Sequence, residues 1–152
     1  MSASGTEQLT TFKVGTELFG IEVMRTQEVT GKQTIMPVPL APPFVKGLIN
    51  LRGQIATALG LHELFSSDAA PSAEPMSVVC KIDGNLVSLI VDAIGDVVEV
   101  ERGLFEPAPS TLPHGVKRYI KGIYKMNGEF LSVVDLDAIA KELSPKTETT
   151  NP

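Results

Sequence analysis

Gly47-Leu48-Ile49-Asn50-Leu51-Arg52-Gly53 sits just beyond the proline-rich run Pro37-Val38-Pro39-Leu40-Ala41-Pro42-Pro43 and has a glycine at each end. Glycine lets the backbone turn where a side chain could not follow, and in an extended chain Ile49 and Leu51 face away from Leu48, Asn50 and Arg52. The stretch therefore predicts a short strand that buries one face and delivers Arg52 to a fixed place on the other. The Arg52 guanidinium is a rigid five-donor fork suited to a carboxylate, so if partly buried it needs a partner such as Glu28 or Glu22. The alternative is an exposed edge arginine with no task.

Upstream, residues 1–8 are small and polar and predict a frayed tail before a strand at Leu9–Val14. Gly15-Thr16-Glu17 turns the chain into Leu18–Val23, where Phe19, Ile21 and Val23 alternate with Gly20 and Glu22 as in a half-buried hairpin. Met24 follows Val23 directly and breaks the alternation, which resumes at Glu28 and Val29; a bend or bulge at Met24-Arg25-Thr26 is expected. The prolines from 37 to 43 lack the amide donors of a ladder, so this segment predicts an extended edge, a turn and one helical turn at Phe44-Val45-Lys46.

Downstream, Gly53-Gln54 supplies a reversal into Ile55–Leu59, and Leu61–Phe65 suffices for a helical turn or two with Leu61, Leu64 and Phe65 on one side. Residues 66–75 are small, polar and broken by proline, a linker that divides the chain nearly in half. Met76–Ile82 and Leu86–Val91 then flank Asp83-Gly84-Asn85, Val97–Val100 adds a short strand, Leu104–Pro113 is irregular, and Tyr119–Met126 and Glu129–Val134 flank Asn127-Gly128. A helix from Asp135 or Leu136 to Leu143 closes the chain, capped by Asp135, striped by Leu136, Ile139, Ala140 and Leu143, and stopped by Pro145. Many short strands with regular turns predict a mainly β fold, either two small barrels or a closed sandwich.

At 152 residues, with 43% hydrophobic and 20% charged, the chain suits one soluble domain or two small ones sharing an interface. A formal charge of −5 and 5% aromatic content oppose nucleic-acid binding. No apolar run approaches the roughly 20 residues of a membrane span. Met1–Glu7 lacks the pattern of a secretory signal, so a cytosolic protein is expected. Cys80 is alone and reads as a small buried hydrophobe. His62 reads as polar cover on its short helix and His114 as a solvated loop residue. Asp83, Asp92, Asp96 and Glu99 read as solvent-facing charge without the spacing of an oxygen-ligand loop. No catalytic residue, metal site or cofactor is expected. Two compact β units meeting at an angle leave a groove for a partner helix or barrel; Val23, Met24 and Val29 either line it or belong to the core.

Phe19-Gly20-Ile21-Glu22-Val23, Gln27-Glu28-Val29, Pro37-Val38-Pro39, the run from Phe44 to Gly53, Ile90-Val91-Asp92 and Lys121-Gly122-Ile123 occur here in the order and spacing of the CheW-like coupling proteins of bacterial chemotaxis. The chain resembles that family from about Leu9 to Leu143. The resemblance implies two packed five-stranded SH3-like β-barrels with short helical turns and a C-terminal helix. The first barrel spans residues 11–73 and the second 75–143; residues 1–10 are a tail and a first strand that helps the second barrel, and 144–152 are a disordered tail.

It also implies a non-catalytic adaptor that couples chemoreceptor cytoplasmic tips to a histidine kinase and regulates its autophosphorylation. The kinase's regulatory domain shares the fold, and other coupling-protein copies are neighbours in a membrane receptor array to which the cytoplasmic protein is recruited. The alternative is a scaffold domain of another two-component signalling complex. By the same likeness Val23, Thr26 and Val29 contact the receptor, Glu28 and Arg52 form a charge pair, and Lys46, Gly47, Asn50, Leu51 and Gly53 carry the motif and contact a partner. The chain departs from the family pattern at Ala56-Thr57-Ala58-Leu59-Gly60, where small residues weaken packing, and at Thr26, where an apolar residue is common.

Overall fold

A computed structural model describes residues 5–143; the tail expected at 144–152 and the stop expected at Pro145 lie outside them. The strands are β1 (Thr6–Val14), β2 (Glu17–Glu22), β3 (Thr26–Thr30), β4 (Val45–Leu51), β5 (Gln54–Gly60), β6 (Met76–Ile82), β7 (Asn85–Val91), β8 (Ala93–Glu101), β9 (Ile120–Met126) and β10 (Glu129–Val134). Helices α1 (Leu61–Leu64), α2 (His114–Lys117) and α3 (Leu136–Leu143) are short, and 3₁₀ turns occupy Val23–Arg25 and Arg102–Leu104.

Three hairpins turn on two consecutive residues with positive φ: Arg52-Gly53 (51° and 91°), Asp83-Gly84 (51° and 81°) and Asn127-Gly128 (41° and 85°). This is the type I′ arrangement, whose twist matches that of the strands it joins. The first turn corrects the expected reversal at Gly53-Gln54. Leu51 already pairs with Gln54, so Arg52 lies in the turn and not in the strand, where a left-handed backbone costs a non-glycine residue about 1–2 kcal/mol. The turn expected at 44–46 lies earlier, closed by the Val45 amide donating to the Pro42 carbonyl at 2.9 Å, because Val45 already pairs with Leu59 as the first residue of β4. β1 begins before Leu9, since Thr6, Glu7 and Gln8 find partners in Glu101, Val100 and Glu99. Asp135 caps α3 as expected, accepting the Ala138 amide at 3.1 Å.

Two five-stranded sheets result, ordered β8-β1-β2-β10-β9 and β3-β6-β7-β5-β4. Units of 11–73 and 75–143 do not describe them: the β1–β2 hairpin pairs with β8 and β10, and the β6–β7 hairpin pairs with β3 and β5. The chain changes sheets at Val23–Arg25 and again at Asp92, not at the linker. Each sheet approaches closure through one bridge, Met36 to Leu48 in one and Glu106 to Ile123 in the other. The result is an SH3-like pair of subdomains, mainly β, without complete barrels.

The two sheets are copies of one another. Exchanging β1 to β5 with β6 to β10 turns one strand order into the other. The pairing agrees residue by residue: Val14–Glu17 corresponds to Ile82–Asn85, Thr10–Val97 to Val78–Val29, and Ile49–Ala56 to Tyr124–Leu131. The parallel contacts agree as well, Ala56–Leu86 with Leu131–Leu18. The chain is thus a duplicated half in which each copy lends its first hairpin to the other's sheet.

Apolar side chains form three cores. One lies inside each sheet: Ile49, Leu51, Ala56, Ala58 and Val79 in the first, Leu9, Val100, Tyr124, Leu131 and Val133 in the second. The largest joins the sheets, and through it Phe12, Phe19, Phe65 and Tyr119 run in sequence with ring centroids 6.0, 4.9 and 6.2 Å apart. Ala56 and Ala58 stand where the other copy has Leu131 and Val133, so the sheet carrying the Arg52 turn has the smaller interior.

Candidate docking surface

The site is built where β2 leaves one sheet and β3 enters the other. Thr26 pairs with Cys80 and Glu28 with Val79, leaving Gln27 as an extra residue in a bulge. Val29 then pairs with Val78, so the bulge puts Thr26 and Val29 on one face, the side of Cys80 and Val78 that meets the other sheet. Glu28 is turned to the opposite face. The Thr26 hydroxyl donates to Thr10 Oγ1 at 3.1 Å, tying the two sheets at the floor of the crevice. Val23 and Met24 form its lip; Met24 is 93% exposed and Val29 44%.

Beside them opens a cavity of about 560 Å³ lined by Thr6, Glu7, Gln8, Glu22, Val23, Met24, Arg25, Glu99 and Arg102. A second cavity of about 240 Å³ shares Glu7, Glu22 and Arg102 and adds an apolar floor of Phe105, Tyr124 and Val133. Ion pairs rim the trough: Lys121 with Glu22 at 3.1 Å and Arg102 with Glu7 at 3.7 Å. Sequence reasoning missed this trough, since its residues come from distant strands and no local pattern marks them.

Glu28 and Arg52 meet at 2.5 Å, with the Arg52 side chain 74% and the Glu28 side chain 25% exposed. They join β3 to the β4–β5 turn, that is, opposite edges of one sheet. The remaining motif residues have folding roles. Gly47 has φ 144°, and a Cβ there would collide with the Met36 carbonyl of the closing bridge. Asn50 Oδ1 accepts the Gly53 amide at 2.8 Å and fixes the turn, while Leu51 is buried in the sheet interior. Lys46 pairs with Glu63 at 2.9 Å, directly over Gly60, whose missing side chain leaves room for that contact.

His62 is not polar cover. It is 8% exposed, with Nε2 2.7 Å from Asp92 Oδ2 and Nδ1 3.2 Å from Ser67 Oγ. Asp92 is correspondingly not solvent-facing charge: its carboxylate also accepts the Gly15 amide at 2.5 Å and the Ser72 amide at 2.8 Å. Burial alone would raise its pKa, but these hydrogen bonds from Gly15, Ser72 and His62 outweigh it and hold the carboxyl below the usual range. Cys80 is fully buried, and desolvation pushes its thiol up to about 12. His114 is exposed at the start of α2. Among the described residues no group of three or more His, Cys, Asp and Glu is arranged to hold a metal, and no helix is long and apolar enough to cross a membrane.

A CheW-like domain family model matches residues 8–144. The chain is similar to the chemotaxis protein CheW of Treponema pallidum (strain Nichols), 29% identical over 143 residues that cover 90% of this chain and 84% of the relative. It is also similar to the chemotaxis protein CheW of Rhizobium meliloti (strain 1021), 28% identical over 137 residues, 90% of this chain and 88% of the relative. In three dimensions it is similar to the scaffolding protein TtCheW from Thermoanaerobacter tengcongensis, with a TM-score of 0.80, 26% identity and coverage of 87% and 86% of the two chains.

Proposed function

This chain belongs to the CheW-like domain family, and we propose that, as a non-enzymatic scaffold of chemotaxis, it couples the cytoplasmic tips of chemoreceptors to a histidine kinase and sets that kinase's autophosphorylation within a membrane receptor array. The observation that carries this reading is the crevice between the sheets. The β3 bulge sets Thr26 and the half-exposed Val29 on the face turned toward the second sheet, beside Val23 and Met24, as a helical receptor tip requires.

The kinase's regulatory domain docks on the ends of the two sheets. Ile55 and Phe130 support this assignment. They occupy equivalent positions beside the Arg52-Gly53 and Asn127-Gly128 turns and both are exposed, giving each half an apolar knob. Glu28 and Arg52 hold the bulged strand against the β4–β5 turn, so their part in docking is to position the crevice. Neighbouring copies of the coupling protein use the same sheet ends.

The direct test is titration of a receptor-tip hairpin into the wild type and into Val23→Asp and Val29→Asp. Both variants bind at least tenfold more weakly while keeping the wild-type circular dichroism, and a control at Asp83, in the β6–β7 turn, binds normally. Unchanged affinity in both crevice variants would remove the crevice from the receptor interface.

A further inference from the structure

The duplication assigns every groove in one half a mate in the other, and the two grooves differ. Glu7, Gln8, Glu22, Val23 and Met24, along the open cavity, correspond through the strand pairings to Pro75, Met76, Ile90, Val91 and Asp92. In place of one cavity of about 560 Å³ the mate holds two remnants of about 160 and 60 Å³. What occupies it is the linker: Pro71, Ser72 and Pro75 wall the larger remnant together with Ile35, Ile90 and Val91.

One difference is an exchange of residue type at an equivalent pair of positions, Met24 and Asp92. Met24 projects into solvent at the lip of the open groove. Its counterpart Asp92 turns inward and accepts the Ser72 amide, the Gly15 amide and His62 Nε2. His62 extends the hold to the other end of the linker through Ser67, whose hydroxyl oxygen also accepts the Ala69 amide at 3.1 Å. One carboxylate and one imidazole thus fasten the linker at residues 67 and 72.

We propose that residues 66–75 are a built-in plug, latched by Asp92 and His62, which closes the second of two equivalent grooves and, among the described residues, leaves the duplicated scaffold with one open face. The plug makes a two-fold repeat one-sided, which an adaptor joining unlike partners requires. The inference stands on strand pairing and on the latch, independently of what docks in the open groove.

Two variants of the full chain test it. Asp92→Ala removes the latch; Ser72→Pro removes the linker's donor to Asp92, together with the Ser72 hydroxyl that accepts the Glu74 amide within the linker, and leaves Asp92, His62 and both sheets intact, so it decides the matter if Asp92→Ala does not fold. Amide hydrogen exchange at Ala69 accelerates at least tenfold, and the chain gains about one binding equivalent of the apolar dye anilinonaphthalenesulfonate over the wild type. Unchanged exchange at Ala69 would overturn the latch. Faster exchange without added dye binding would overturn the plug.

Discussion

At Gly47 two demands coincide, a φ of 144° and the approach of the Met36 carbonyl, whereas Gly53 has only its φ of 91° and open space around it. Gly47→Ala therefore costs about 3 kcal/mol or more in denaturant unfolding, and Gly53→Ala only about 1–2 kcal/mol; equal losses would contradict the closing-bridge role. The Glu28–Arg52 pair is short but its arginine is mostly in water, so a double-mutant cycle with Glu28→Ala and Arg52→Ala should give a coupling of about 1 kcal/mol or less. A coupling above about 3 kcal/mol would indicate a desolvated pair. Cys80 has a raised pKa, so its burial stabilises the fold fully below the unfolded thiol's pKa of about 8.5. That contribution falls away as pH rises toward about 12, and native protein at pH 8 resists alkylation. The motif was legible as a short strand between two glycines, while the reversal at its end was placed one residue late, at Gly53-Gln54 instead of Arg52-Gly53. What was not legible was its reasons: Gly47 answers to Met36, brought near only by the bridge, and His62 answers to Asp92 across two strands.

Elements with a local chemical cause were read well. Asn127-Gly128 and Asp83-Gly84 turn where expected, and α3 starts at its cap. Asp135→Ala should lower stability by about 1 kcal/mol, measured by thermal or denaturant unfolding, whereas Asp137→Ala, in the first turn but exposed and paired with Arg25 only at 3.5 Å, should change it by less than half of that. Boundaries decided by pairing were missed. Thr6 to Gln8 look like a tail until β8 supplies partners, and Phe44 to Lys46 look helical until β5 takes Val45. The linker belongs at this scale too. Its carboxylate anchor Asp92 has a folded pKa below the unfolded value of about 3.9, so its stabilisation is complete above that pH and is lost as pH falls through the folded value. Stability of the wild type should decline on acidification below about pH 4 more steeply than that of Asp92→Asn; parallel declines would show that Asp92 gains nothing from its three donors.

For the whole molecule the sequence pointed to two packed β units and placed their boundary wrongly. The proline-rich linker was the only visible break, yet the exchange of hairpins makes it an internal loop of the assembly. No periodicity reports this, because the copies share pairing more than residues: Lys46-Gly47-Leu48 and Lys121-Gly122-Ile123 match, whereas Ala56 corresponds to Leu131 and Met24 to Asp92. One consequence is that fragments 1–73 and 74–152 should each lack cooperative unfolding and regain native circular dichroism when mixed, since each sheet needs strands from both; a fragment that folds cooperatively alone would refute the exchange. The trough was invisible for the same reason, being lined by β1, β2, β8, β9, β10 and the two 3₁₀ turns after the exchange. The central claim, that this chain joins receptor to kinase and catalyses nothing, is tested most directly by measuring kinase autophosphorylation in a reconstitution of receptor and kinase with and without it. Ligand control of the kinase should be absent without the chain, return on its addition and fail to return with Val23→Asp; control that is present without the chain, or that the wild-type chain does not restore, would contradict the account.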